Sequence, residues 1–149
     1  MSREKNRHEA DRWLRQALAD VQAAENSLRG GSCEWACFQA QQAGEKAIKA
    51  VWFASGADPW GHSLTQLVCD FPVPTGRDRL MTILEAAKTL DKFYIPTRYP
   101  NGLPDSIPAD VYTAGDAKRA LDAVALVIAR AREGLNADNV TTHEVTSDQ

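Results

Sequence analysis

The chain has few of the features that mark disulfide-rich, membrane-spanning or metal-binding proteins. It contains three cysteines, and no second Cys or His follows Cys33 and Cys37 at the spacing of a zinc site. We therefore expect reduced, buried thiols, no disulfide framework and no metal. No apolar run approaches the ~18 residues that span a bilayer, and the charged N-terminus lacks the apolar segment of a signal peptide. These absences predict a cytoplasmic protein without membrane contact.

An excess of basic charge is also missing. The chain has 17 Lys and Arg residues against 20 Asp and Glu residues, for a net charge of −3. This balance argues against binding of double-stranded DNA by bulk electrostatics, although it allows a local basic site. The GxxxxGK[ST], GxGxxG, HExxH and GxSxG motifs do not occur. The sequence therefore supports none of these routes to catalysis, and we predict no cofactor.

Proline is absent from both ends of the chain, since all seven prolines lie between Pro59 and Pro108. Because proline breaks helices, this distribution predicts long helices in the N-terminal and C-terminal parts of the chain and shorter elements in the proline-containing region between them. In the first flank, apolar stripes predict helices from about 9 to 28 and from about 32 to 54. Two glycines and a capping serine separate these helices. A link this short predicts an antiparallel helical hairpin.

The rest of the chain continues the helical pattern and contains no convincing strand alternation. The fold class is therefore all-α, with four to five helices and an additional short helix. The helical domain should cover residues 9–135, and the tail at 136–149 lacks apolar periodicity and is predicted to be disordered. The remaining predicted elements are a short helix at 63–70, a loop at 71–76, a helix at 77–92, a loop at 101–111 and a last helix capped by Thr113 with Asp116 in a capping-box arrangement.

The second predicted helix carries an alanine ladder on one face. An alanine recurs every three or four residues from Ala36 to Ala50, which lets another helix approach closely. Glu45 and Lys46 lie on the polar part of the same helix. They are either a structural, solvated edge or the floor of a polar pocket between helices.

A histidine and an aromatic-rich segment are the other candidates for chemistry. His62 lies in a loop, where it could transfer protons or act as a surface or capping residue. A later proline-rich segment contains Asp91, Tyr94, Arg98 and Tyr99. An arginine flanked by aromatic residues can hold a phosphate and stack on a base. The alternative is an Arg–Asp clamp that fixes the proline-rich loop.

Four segments of the chain together resemble the HEPN family (higher eukaryotes and prokaryotes nucleotide-binding). They are FQAQQAGEKAIKA at 38–50, GHSL at 61–64, DKFY at 91–94 and TRYP at 97–100, in the order that the family has them. The resemblance covers about residues 10 to 135. It implies an up-and-down helical bundle, often a homodimer, with a role around nucleotides or RNA. Many members are ribonucleases, often toxins paired with a nucleotidyltransferase-like antitoxin.

The catalytic motif of the ribonuclease members is an Arg followed, after four to six residues, by a His. Arg98 matches the arginine, but the positions for the histidine hold Leu103, Pro104 and Asp105. The motif is therefore incomplete, and the chain resembles the Arg-Tyr-Pro branch of the family, which is described as nucleotide-binding. The predicted ligand-binding residues are Arg98, Tyr94, Tyr99, His62, Glu45, Lys46 and Asp91.

Three hypotheses follow from these observations. The first is a non-catalytic, dimeric module that binds a nucleotide or RNA near Arg98. The second is a metal-independent ribonuclease or toxin in which His62 substitutes for the missing histidine beside Arg98. The third is a helical interaction partner, such as the small half of a pair formed with a nucleotidyltransferase-like protein.

Overall fold

The computed structural model describes the backbone from residue 2 to residue 146 and the side chains as far as residue 137. Within this range the chain is all-helical and has no strand, which confirms the predicted all-α class. None of the described helices is both long and apolar enough to cross a membrane. The elements are α1 (Arg3–Arg29), α2 (Cys33–Ala54), α3 (Leu64–Cys69), α4 (Pro74–Met81), α5 (Leu84–Asp91), a 3₁₀ turn (Pro100–Gly102), α6 (Pro108–Val111) and α7 (Ala114–Thr146).

Helices α1 and α2 form the predicted hairpin. Gly31 has φ 83°, a left-handed conformation that favours glycine, and it lets the chain reverse within a few residues. The alanine ladder of α2 is fully buried, as are Ala17 and Ala24 of α1. Helix α7 packs against α2 and adds buried residues such as Val124 and Val127. Helix α2 is therefore the central helix of the bundle, and its small side chains permit close packing.

The predicted single helix at 77–92 is wrong, because the structure has two helices there. Helix α4 starts earlier, at Pro74, a residue that suits the first turn of a helix. Residues 82 and 83 then interrupt the helical path. The Thr82 hydroxyl donates to the Arg79 carbonyl over 2.6 Å, and Ile83 lies buried in the core. Burial of Ile83 is a tertiary effect that helical periodicity does not reveal.

The start of α7 confirms the predicted capping box. The Thr113 hydroxyl accepts a hydrogen bond from the Asp116 backbone N–H, and the Asp116 carboxylate accepts one from the Thr113 backbone N–H. The Thr113 backbone bond is the main reason why the pKa of Asp116 is lowered. The helix extends to Thr146, past the boundary at 135 that the apolar seam predicts. The last part of the predicted tail, 147–149, lies outside the described residues.

The three cysteines differ in accessibility, and only part of the expectation of buried thiols holds. Cys37 is fully buried and Cys33 half-buried, whereas Cys69 is exposed at the end of α3. Burial, together with the nearby Asp116 carboxylate, raises the pKa of the Cys37 thiol to about 12.

Iodoacetamide at pH 8 is therefore expected to modify Cys69 in the folded protein and leave Cys37 intact. The thiolate is the reactive species, and Cys37 is neither ionised at that pH nor accessible. Peptide mass spectrometry before and after unfolding measures both sites. Rapid modification of Cys37 in the folded protein would show that this packing is wrong.

Candidate functional site

A buried carboxylate on α2 holds the loop that precedes α3. The Glu45 side chain is only 5% exposed, and its Oε1 lies 3.0 Å from Nδ1 of His62. A second contact comes from Gln41, whose side-chain amide donates to the His62 carbonyl over 3.1 Å. Gly61 has φ 82°, which permits the turn that brings His62 onto α2. Glu45 and His62 are far apart in the sequence, and the fold brings them together.

The Glu45 contact also defines which ring nitrogen of His62 is available. An ionised carboxylate only accepts hydrogen bonds, so Nδ1 carries the proton in this contact. The other nitrogen, Nε2, is then the one that can exchange a proton or meet a ligand. Lys49, whose Nζ lies 3.7 Å from Glu45 Oε2, partly neutralises the carboxylate from within α2.

Arg98 lies among three aromatic rings. Its guanidinium carbon is 4.2 Å from the ring centre of Phe38, 4.9 Å from that of Tyr94 and 5.4 Å from that of Tyr99. Its Nε donates to the Tyr94 carbonyl over 2.9 Å. No other side-chain hydrogen bond or ion pair of Arg98 occurs in the described part of the chain. Its two terminal nitrogens therefore remain available to an anion.

The Tyr94 ring contacts both Arg98 and His62. The His62 and Tyr94 rings stack, with their centres 5.0 Å apart and their planes 23° apart. We use the name Arg98 site for the set of six residues that these contacts connect. The set consists of Phe38, Glu45, His62, Tyr94, Arg98 and Tyr99.

The Arg98 site is open to solvent above a buried floor. The His62 side chain is 59% exposed and Tyr99 is 53% exposed, whereas Glu45 beneath them is buried. A planar ring could stack on the exposed face of an aromatic side chain while an anionic group meets the guanidinium. The arrangement combines a cation, aromatic surface and one histidine nitrogen that can bind or release a proton.

Asp91 lies beside this set but has a structural contact of its own. Its carboxylate accepts hydrogen bonds from the backbone N–H groups of Leu64 and Thr65, over 2.7 and 3.0 Å, and from the Ser63 hydroxyl over 3.0 Å. The two N–H groups belong to the first turn of α3, where backbone donors have no acceptor within the helix. A negatively charged group stabilises this end of a helix. The structure therefore pairs Asp91 with the start of α3 and gives it no Arg98 clamp.

Lys46 is also outside the Arg98 site. Its Nζ lies 2.5 Å from Oδ2 of Asp20 on α1, so it belongs to the hairpin. Phe38 is the residue that sequence reasoning missed, although it contributes the ring nearest to Arg98. The signal was available, because Phe38, Gln41 and Glu45 are three and four residues apart and share one face of α2. An aromatic residue on the polar face of α2 indicates a residue that could contribute to a site.

The sequence profile of the HEPN domain matches residues 10–134. The chain belongs to the HEPN family. Protein TT1696 of Thermus thermophilus is 42% identical to this HEPN chain and has a TM-score of 0.77, over 85% of this chain and 98% of the other. ST0689, an archaeal HEPN homologue, is 31% identical with a TM-score of 0.70, over 85% and 98%. A HEPN domain protein of Thermotoga maritima is 28% identical with a TM-score of 0.62, over 84% and 98%.

A relative of very different size is also similar to this HEPN chain. Human sacsin is 32% identical in an alignment of 128 residues that covers 80% of this chain and 3% of sacsin. The chain thus spans a small part of sacsin's length. The family membership that the four sequence segments indicated is confirmed.

Proposed function

We propose that this HEPN domain is a non-catalytic module that binds a nucleotide or RNA at the Arg98 site. The observation that carries the proposal is the Arg98 guanidinium, packed among three rings with its terminal nitrogens unbonded in the described residues. Such a group matches a phosphate oxygen pair, and the adjacent exposed Tyr99 offers a stacking face. A phosphate next to a base is the ligand that fits both features.

Calorimetric titration with mononucleotides and short single-stranded RNAs tests this function. We expect saturable heat from at least one of them, and weaker binding as salt is raised, because the contact is electrostatic. A matched titration with the free nucleoside separates phosphate recognition from stacking. If no nucleotide or RNA gives heat with the wild-type protein, this function is excluded.

We also propose that the module is a homodimer. Large apolar side chains are exposed next to the Arg98 site, among them Trp35 at 47% and Ile95 at 53%. Trp35 contacts Phe38 edge to face, so a partner that covered Trp35 would also border Arg98. Sedimentation equilibrium of the wild type and of Trp35→Ser measures the association. A wild-type monomer at all concentrations would rule the dimer out.

A ribonuclease is the second candidate function, and one observation favours it. His62 is hydrogen-bonded to Glu45 and stacks on the same Tyr94 ring that Arg98 contacts. A histidine oriented by a carboxylate next to an arginine could act in general acid–base cleavage of RNA. Cleavage that is metal-independent and is lost in His62→Ala would establish this candidate. Cleavage that His62→Ala leaves unchanged, or none at all, would reject it.

A further inference from the structure

A second concave site lies at the other end of α2. Its volume is about 670 Å³, and it lies between the start of α1, the end of α2, the α4 region and α7. Its lining includes residues between 51 and 55, whereas the Arg98 site uses the part of α2 from Phe38 to Glu45. No residue of the Arg98 site lines it.

Four arginines and one aspartate supply the charged lining of this cavity. The arginines are Arg3 and Arg7 of α1, Arg79 of α4 and Arg130 of α7, which together we call the four-arginine groove. In a chain whose net charge is −3, this is a local concentration of positive charge. Within the described part of the chain, Arg3, Arg7 and Arg79 have no ion pair with a carboxylate. Asp11 is the one carboxylate among the described residues of the lining, so the groove keeps a net positive charge.

Arg130 adds an unusual feature to the groove. Its Nη1 pairs with Glu133 over 2.5 Å, but its Nε is buried and has no hydrogen-bond partner in the described residues. A buried donor without a partner is costly, and such groups are rare in folded proteins.

Apolar side chains also line the groove. Val51, Phe71 and Leu80 line it, and each is at least nine-tenths buried. Phe71 packs directly on Gly76, where an added Cβ would lie 2.4 Å from Phe71 Cε1. Glycine at this position therefore lets the Phe71 ring form part of the wall. A cavity lined both by several cations and by apolar side chains fits an amphipathic anion.

We propose that the four-arginine groove binds a small organic phosphate, a compound with one or more phosphate groups on a compact apolar or heterocyclic body. Several arginines match the several acceptor oxygens of a phosphate better than they match one carboxylate. The volume lies within the ~300–1,000 Å³ typical of small-molecule pockets. This site is separate from the Arg98 site, and the proposal does not depend on ligand binding at Arg98.

The test uses ADP and inorganic pyrophosphate as probes in the Arg98→Ala background, so that binding at the Arg98 site does not contribute. We expect calorimetry to show that ADP binds. Pyrophosphate should bind more weakly, because it lacks a nucleoside that could pack against the apolar side chains of the groove. Adding Arg7→Ala and Arg79→Ala, both at exposed positions, should weaken ADP binding at least about tenfold. Adding Arg12→Ala, an exposed arginine of α1 outside the groove, should leave it unchanged.

Several results would overturn the groove proposal. One is the absence of ADP binding in Arg98→Ala, whether or not the wild type binds ADP. Another is ADP binding that Arg7→Ala with Arg79→Ala does not alter. A third is a groove that binds an RNA oligonucleotide but neither small probe. Thermal unfolding followed by circular dichroism confirms that each variant is folded.

Discussion

Replacement of Arg98 by alanine is expected to weaken nucleotide or RNA binding by about ten- to a hundredfold. This range follows from the loss of charge-assisted hydrogen bonds worth about 1.5–3 kcal/mol. The side chain of Arg98 makes a single hydrogen bond in the described protein, to a backbone carbonyl, so the fold should survive the change. Fluorescence anisotropy with a labelled short RNA measures the loss, because a mononucleotide could also bind in the four-arginine groove.

Arg98→Lys is the matched variant for this prediction. It keeps the positive charge but loses the planar, forked group that packs among Phe38, Tyr94 and Tyr99. We expect it to bind with intermediate affinity and with a steeper loss on addition of salt. Arg98→Ala that binds the short RNA as tightly as the wild type would exclude Arg98 as the anchor of that ligand.

Replacement of Asp91 by alanine is expected to lower the free energy of unfolding by about 2–3 kcal/mol. The carboxylate accepts three hydrogen bonds at the start of α3, two of them from backbone N–H groups. Its removal leaves these donors without their partner and takes a negative charge from a helix N-terminus. Urea unfolding followed by circular dichroism measures the change in the transition midpoint at constant slope.

Two further variants serve as comparisons for Asp91→Ala. Asp91→Asn keeps one acceptor oxygen without the charge, so it should lose about half as much stability as the alanine variant. Asp122→Ala removes an exposed aspartate within α7 and should change stability by no more than ~0.5 kcal/mol. An Asp91→Ala protein as stable as the wild type would show that the α3 contact is not a stabilising cap.

Local chemistry made part of the fold predictable from the sequence. The two-glycine link, the alanine ladder and the Thr113–Asp116 capping box depend on residues near one another in the chain, and the structure has them all. The break at residues 82 and 83 was not predictable in this way. It depends on the burial of Ile83 in the core. The hydrophobic pattern of a single segment does not predict such burial.

The same distinction applies to the Arg98 site. Arg98, Tyr94 and Tyr99 lie close in the sequence, so one segment indicated them together. The pairing of His62 with Glu45, and the contribution of Phe38, required three separate segments to meet. Residue type alone also could not separate a ligand contact from a cap, and Asp91 illustrates this by its three bonds to the start of α3.

The most direct test of the central claim is a crystal structure of the wild-type protein soaked with a mononucleotide. We predict phosphate density within hydrogen-bond distance of the terminal nitrogens of Arg98, with the base against one of the neighbouring rings. A second molecule in the four-arginine groove would be compatible with this result. A nucleotide bound elsewhere with Arg98 unoccupied would contradict the claim that Arg98 is the ligand anchor of this HEPN domain.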